Sequence, residues 1–271
     1  MQSRNPVLGK EFSSANLAGF HEAPPSSRAL QDMYDGPGRS VGSDRVMTID
    51  DVVVKTGILF TILVAASVVG WYTSATSPVV LIVSMMVAFV LAMVVSVRRT
   101  VSPPLVMLYA AFEGVFLGGI SNYFQAGVEQ RTGQPSNIVL QAVIGTFAAF
   151  AVMLLLYKSG RLRATPRFQK MMMIALFSYL GIALVSLVSA MFGVGGGWGF
   201  YGVGGIGLLL CAAGVALAAF TLVLDFDLIE KGVAAGVPER ESWRASFGLM
   251  VSLVWLYLEL LRLLAILQGR N

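Results

Sequence analysis

Seven stretches of this chain run almost free of charged side chains: Val53–Trp71, Val79–Val97, Pro104–Tyr123, Ile138–Tyr157, Met171–Phe192, Val203–Leu224 and Phe247–Leu267. Each has the length that crosses a hydrocarbon core as a helix, for which ~20 residues suffice at ~1.5 Å of rise per residue. The apolar runs are continuous and do not alternate with period two, so the pattern predicts helices and not the strands of a barrel. Several connections carry turn chemistry, as in Ser77-Pro78, Pro103-Pro104 and Gln134-Pro135-Ser136. The fold class predicted is an all-α membrane protein, a bundle of seven transmembrane helices.

Before the first stretch the pattern is different. Residues 1–45 are polar and rich in Ser, Gly and Pro, with no apolar core of the length a secretory signal needs. Such a segment buries too little surface to offset its ordering entropy, and it is expected to be a disordered tail on the cytoplasmic side. The membrane domain is then 46–271. Met47-Thr48-Ile49-Asp50-Asp51 reads as a helix start, with Thr48 or Asp50 as N-cap and acids in the first turn.

Composition narrows the function classes. Of 271 residues 56% are hydrophobic and 13% charged, where soluble domains carry roughly a quarter charged. That balance excludes a soluble enzyme and a nucleic-acid-binding domain, even at a net charge of +4. The single cysteine, Cys211, allows no intrachain disulfide and no cysteine cluster, and the single histidine, His21, lies in the tail. The last lysine is Lys231, outside the final stretch, which removes a retinal Schiff base. The absence of a histidine within the membrane removes a rhomboid-type protease. No enzyme activity and no cofactor are expected.

Lys and Arg in the short connections set the orientation. Arg98 and Arg99 follow the second stretch, Lys158, Arg161, Arg163, Arg167 and Lys170 follow the fourth, and Lys231, Arg240 and Arg244 follow the sixth. The first and fifth connections, Tyr72–Pro78 and Gly193–Gly202, carry neither, and the third has Arg131 alone. The expected N-terminus is cytoplasmic, in the cell membrane. Seven crossings place the C-terminus opposite, while Arg270 favours a last helix that crosses incompletely.

Two glycine patterns resemble known motifs. Gly197/Gly199/Gly202 and Gly202/Gly204/Gly207 match G-x-G-x-x-G, but the element before them is a membrane stretch and not a β-strand, so a loop is expected and no nucleotide. Gly114-Val-Phe-Leu-Gly118 has the spacing of close helix packing.

The candidate chemistry lies in the charges left inside the apolar runs, which are costly there and usually face the bundle interior. Lys55 is near enough to the end of its run to snorkel. Glu113 sits mid-span. Ser252, Trp255, Glu259 and Arg262 form one stripe of the last stretch, in which Glu259 and Arg262 are spaced to pair. In the sixth, Cys211, Gly214, Ala218, Thr221 and Asp225 share a small, weakly polar face suited to close helix contact or a narrow aqueous path. Asp225 and Asp227 follow that run and read, on position alone, as interfacial acids.

These residues carry a resemblance. Leu224-Asp225-Phe226-Asp227-Leu228-Ile229 resembles the end of the sixth helix in the transmembrane Bax inhibitor motif (Bax inhibitor-1-like) family; Glu113-Gly114 is similar to its Glu-Gly element, and Leu256-Tyr257 with Leu260-Leu261-Arg262-Leu263-Leu264 to its seventh-helix ending. Asn5-Pro6-Val7 and Met47–Asp51 resemble the actinobacterial branch. The resemblance implies a last helix wrapped by the other six and a pH-sensitive calcium leak, latched on the cytoplasmic side by an Asp on each of the last two helices that share a proton. Asp225 matches the first. Ten residues before Arg262 the second falls on Ser252, which cannot share a proton as a carboxylate does.

The function expected is therefore a pH-sensitive, calcium-leak-like cation pathway. Asp225 and Ser252 would form its gate, Glu113 and Glu259 would be deeper acids, Arg262 would compensate charge, and Asp227 would stand at the interface. Its partners would be the lipid bilayer, calcium ions and protons, with no nucleic acid. Carboxylate oxygens suit Ca²⁺, although no dedicated calcium loop and no certain metal site are present. Two alternatives are a proton-coupled transporter and a non-conducting membrane regulator of stress responses; no inverted repeat or paired mid-helix break supports the transporter.

Overall fold

The computed structural model describes residues 45–202 and 204–269; the expected tail, with Asn5-Pro6-Val7, lies outside them. Seven helices follow: α1 Ile49–Thr76, α2 Pro78–Val97, α3 Pro103–Thr132, α4 Ile138–Lys158, α5 Pro166–Met191, α6 Gly204–Ala234 and α7 Ser242–Gln268. All seven are long and apolar enough to cross a membrane. Large side chains such as Phe89 on α2 and Phe177 and Leu187 on α5 are exposed, as helices solvated by lipid require.

The helices run past the apolar stretches because hydropathy registers only the part inside hydrocarbon. α3 continues nine residues beyond Tyr123 to Thr132 and stops at Gly133, whose φ of 66° closes it in the left-handed region. α1 begins at Ile49 on a capping box in which Thr48 accepts from the Asp51 amide and the Asp51 carboxylate accepts from the Thr48 amide. Just before it, Val46 bridges Pro238, and the Met47 amide donates to Val237 O at 2.9 Å. This strap ties the start of α1 to the α6–α7 connection. Lys55 belongs to the same tie. It does not snorkel but pairs with Glu239 at 3.0 Å and lies over the Trp243 ring.

α7 is the centre of the bundle. Phe247, Met250 and Val254 pack into a core shared with α1 and α3. Leu249, Leu253 and Leu256 pack into a second core with α6, and Leu261 and Ala265 into a third with α3 and α4. At 27 residues it is about 40 Å long, enough to cross completely; Arg270 lies outside the described residues.

Glycine sets the tightest contact, between α1 and α3. A Cβ on Gly118 would stand 1.9 Å from Ser67 O, on Gly114 2.3 Å from Leu63 O, and on Gly70 2.0 Å from Val115 O. The Gly114/Gly118 pair is thus a packing device, and Gly70 is its partner on α1. The glycine-rich connection after α5 forms two short 3-10 turns, Val194–Gly197 and Gly199–Gly202. Gly199, at φ 62°, presses on Ser186 of α5, whose hydroxyl accepts the Phe200 amide at 3.0 Å.

Candidate functional site: acids around the last helix

The small face of α6 lies against α7. Cys211, Gly214, Ala218 and Thr221 are all buried, and they bring two polar groups of α6 and α7 together at different depths.

Near the α6–α7 connection, the Asp225 side chain reaches α7. The Ser252 hydroxyl lies beside its carboxylate, and Asp225 Oδ1 is 3.8 Å from where a Cβ on Gly248 would be. A larger side chain at 248 would meet the carboxylate. Leu222 and Phe226 of α6 and Leu249 and Leu253 of α7 belong to the core between these two helices. Among the described residues, Asp225 Oδ2 and Thr56 Oγ1 are the buried side-chain oxygens without a hydrogen-bond partner. Thr56 belongs to α1 one turn beyond Val52, whose carbonyl accepts the Ser246 hydroxyl of α7 at 3.1 Å. Both unpartnered oxygens are therefore on helices packed against the first half of α7.

Asp227 is separate. Its Oδ2 takes Lys231 at 2.7 Å and Gln169 of α5 at 3.2 Å, so the neighbouring acids face different helices and do different work.

Seven residues beyond Ser252, about 10 Å further along the axis, Glu259 is the centre of a denser cluster. It is 3% exposed. Tyr179 of α5 donates to its Oε1 at 2.8 Å and Trp255 at 3.2 Å, while Arg262 Nη1 stands 3.3 and 3.4 Å from the two oxygens. Tyr201 donates to the Tyr179 hydroxyl at 3.0 Å and lies beneath the Arg262 guanidinium, 4.6 Å from its ring centroid. Burial holds the Tyr201 hydroxyl above the ordinary phenol range, which keeps it a neutral donor. The cluster exists because residue 214 is glycine: a Cβ there would be 2.4 Å from the Tyr179 hydroxyl and 2.7 Å from the Glu259 carboxylate.

Glu113 is on another side of α7. It is buried, one turn beyond Tyr109, and Tyr109 meets Phe247 of α7 edge to face at 5.1 Å. Further along, Ser121 of α3 bonds Tyr257 at 2.6 Å. From that register Glu113 lies about 15 Å from Glu259 along the axis. Asp225, Glu113 and Glu259 are thus three separate stations around α7, and among the described residues no three such groups converge as a metal site.

The Bax inhibitor 1 like family matches residues 5–269. The chain belongs to that family. No curated protein matches it. In this Bax inhibitor 1 like protein, spacing alone paired Glu259 with Arg262, while the family resemblance set Ser252 against Asp225. Sequence reading missed Tyr179 and Tyr201. The available signal was Tyr179 itself, a phenol in an α5 run whose other hydrogen-bonding side chains are small serines.

Proposed function

We propose that this protein is a pH-sensitive cation leak, with calcium as its leading candidate ion, and that it is not an enzyme. What carries the reading is the Asp225–Ser252 contact: a carboxylate at the α6–α7 seam, beside a serine of α7, with its Oδ2 buried and unpartnered. Protonation of such a group changes both its charge and its ability to donate, so it alters the seam it stands in. Opening between α6 and α7 leads toward Glu259, whose negative charge favours a cation. Arg262 balances that charge in the closed state.

The test is passive uptake of Ca²⁺ or K⁺ into proteoliposomes. Uptake above that of empty vesicles, altered by Asp225→Asn, is the expected result. Uptake no greater than in empty vesicles ends the conduction reading and leaves the regulator; uptake that requires an opposing solute gradient leaves the transporter.

The deeper acid gives a second expectation. Removing one partner from a buried ion pair costs about 3–5 kcal/mol, so Arg262→Met alone should destabilise the protein more than Glu259→Gln with Arg262→Met. If Glu259 serves conduction as well as Arg262, the folded double variant loses uptake. Full uptake in that variant and in Glu113→Gln removes both acids from the pathway.

In the proposed orientation the N-terminus and the α4–α5 connection are cytoplasmic. Gly160 and Gly196 have positive φ, so the cysteine probes belong at exposed Ser159 and Val194, in a Cys211→Ser background. An impermeant thiol reagent on intact cells should label Val194→Cys and spare Ser159→Cys. The reverse pattern overturns the orientation.

A further inference from the structure

Beside the Glu259 cluster the bundle opens sideways. A groove of about 770 Å³ runs between α5 and α7, with Phe177, Leu180 and Leu184 on one wall and Trp255 and Leu258 on the other. It follows α5 from Met173 to Ala190, about 25 Å at the helical rise, more than the ~15 Å of one leaflet. At the end of the bundle where α3 stops, a second hollow of about 450 Å³ adjoins it. Trp198, Tyr201 and Arg262 line both, which sets the two hollows side by side.

The two parts differ in chemistry. The long groove is almost wholly apolar. The end hollow is lined by Gln130, Arg131 and the backbone of Gly195, Gly202 and Gly204, and its charges are unbalanced. Arg131 is exposed, reaches to within 3.6 Å of a Cβ position on Gly269, and forms no ion pair with the described residues. Arg262 gives one nitrogen to Glu259, and a guanidinium carries five N–H donors in all. Of the nearby acids, Glu259 is buried in its own cluster, and Glu129 accepts the Ser136 amide at 3.1 Å and Gln125 at 3.2 Å. Trp198 and Tyr123 are exposed at the same end, with their rings 5.9 Å apart, as aromatic side chains at a membrane interface are. A cationic mouth at headgroup depth, adjoining an apolar groove longer than a leaflet, is complementary to one amphiphile with an anionic head.

We infer that this space binds a single anionic phospholipid, with the phosphate between Arg262 and Arg131 and one acyl chain laid along the α5–α7 groove. The site is independent of whether the protein conducts ions. Trp255 and Trp198 line the groove and report its occupancy directly.

The experiment places the full chain, carrying Trp71→Phe and Trp243→Phe, in zwitterionic phosphatidylcholine vesicles. Tryptophan quenching is then compared for chain-brominated phosphatidylglycerol and chain-brominated phosphatidylcholine at the same low mole fraction. Phosphatidylglycerol should be preferred, and Arg131→Gln should reduce that preference about fivefold, the effect of one basic residue on an anionic lipid, with unchanged thermal unfolding. Arg262→Gln should reduce it further. Equal quenching by the two lipids, or a preference that Arg131→Gln leaves intact, would overturn the assignment and leave ordinary boundary lipid.

Discussion

Gly118→Leu is expected to leave no folded protein in detergent or membrane. The position faces the α1 backbone, and even the first side-chain carbon would stand 1.9 Å from Ser67 O and 2.8 Å from the Trp71 amide nitrogen. No rotamer relieves a clash at Cβ, and the atoms it meets are backbone, so α1 and α3 must separate along the contact that Gly70 and Gly114 also make. Overpacking ordinarily costs about 1–3 kcal/mol, and here three further carbons follow into the same gap, against a total stability on the order of 5–15 kcal/mol. Gly118→Ala should fold with a clearly lowered unfolding midpoint. Gly127→Ala on the same helix is the control: nothing lies within 4 Å of its Cβ position, and alanine favours a helix by about 1 kcal/mol over glycine. Size-exclusion profiles and thermal unfolding read all three, and a native profile for Gly118→Leu would show that the α1–α3 contact is not as described.

Ser252→Asp is expected to make ion uptake much steeper in pH. In the native chain Asp225 stands beside the Ser252 hydroxyl. A second carboxylate there would repel the first, and two acids that cannot both ionise hold one proton between them as a coupled pair. Uptake would then switch with that shared proton. The wild-type protein, with one acid and one serine, should respond to pH more weakly than its own Ser252→Asp variant. Identical pH profiles would mean that the 252 side chain does not reach the gate.

The same contact shows what could be read from sequence. Seven apolar runs specify seven helices because lipid admits only segments that satisfy their own backbone, and the spacing of Gly114 and Gly118 was legible as helix packing. Ser252 was set against Asp225 by the family resemblance, ten residues before Arg262, and not by the residues themselves. Helix ends were legible only where a cap marks them, as Thr48 does for α1; α3 passes nine residues beyond its apolar run, because its last turns are polar and hydropathy is blind to them. Long-range partners were not legible either. Lys55 meets Glu239 only because the α6–α7 connection folds back beneath α1, and residue periodicity carries no trace of that. Asp225 and Asp227, two residues apart, read as one interfacial pair, yet helix rotation sends the first to α7 and the second to α5. Tyr179 escaped because a phenol in an apolar run looks like packing until its hydroxyl is seen to reach a buried carboxylate, and Tyr201 because it lies in a connection and meets Tyr179 only in the fold.

The account stands most directly on one measurement, the pH profile of cation uptake in proteoliposomes containing wild-type protein or Asp225→Asn, taken across about pH 5 to 8, where a desolvated carboxylate changes charge. Asparagine keeps the shape and removes the titration. The expected result is uptake that varies with pH in the wild type and is flat in Asp225→Asn, with both proteins unfolding at similar temperatures. Wild-type uptake whose pH dependence persists unchanged in Asp225→Asn would contradict it.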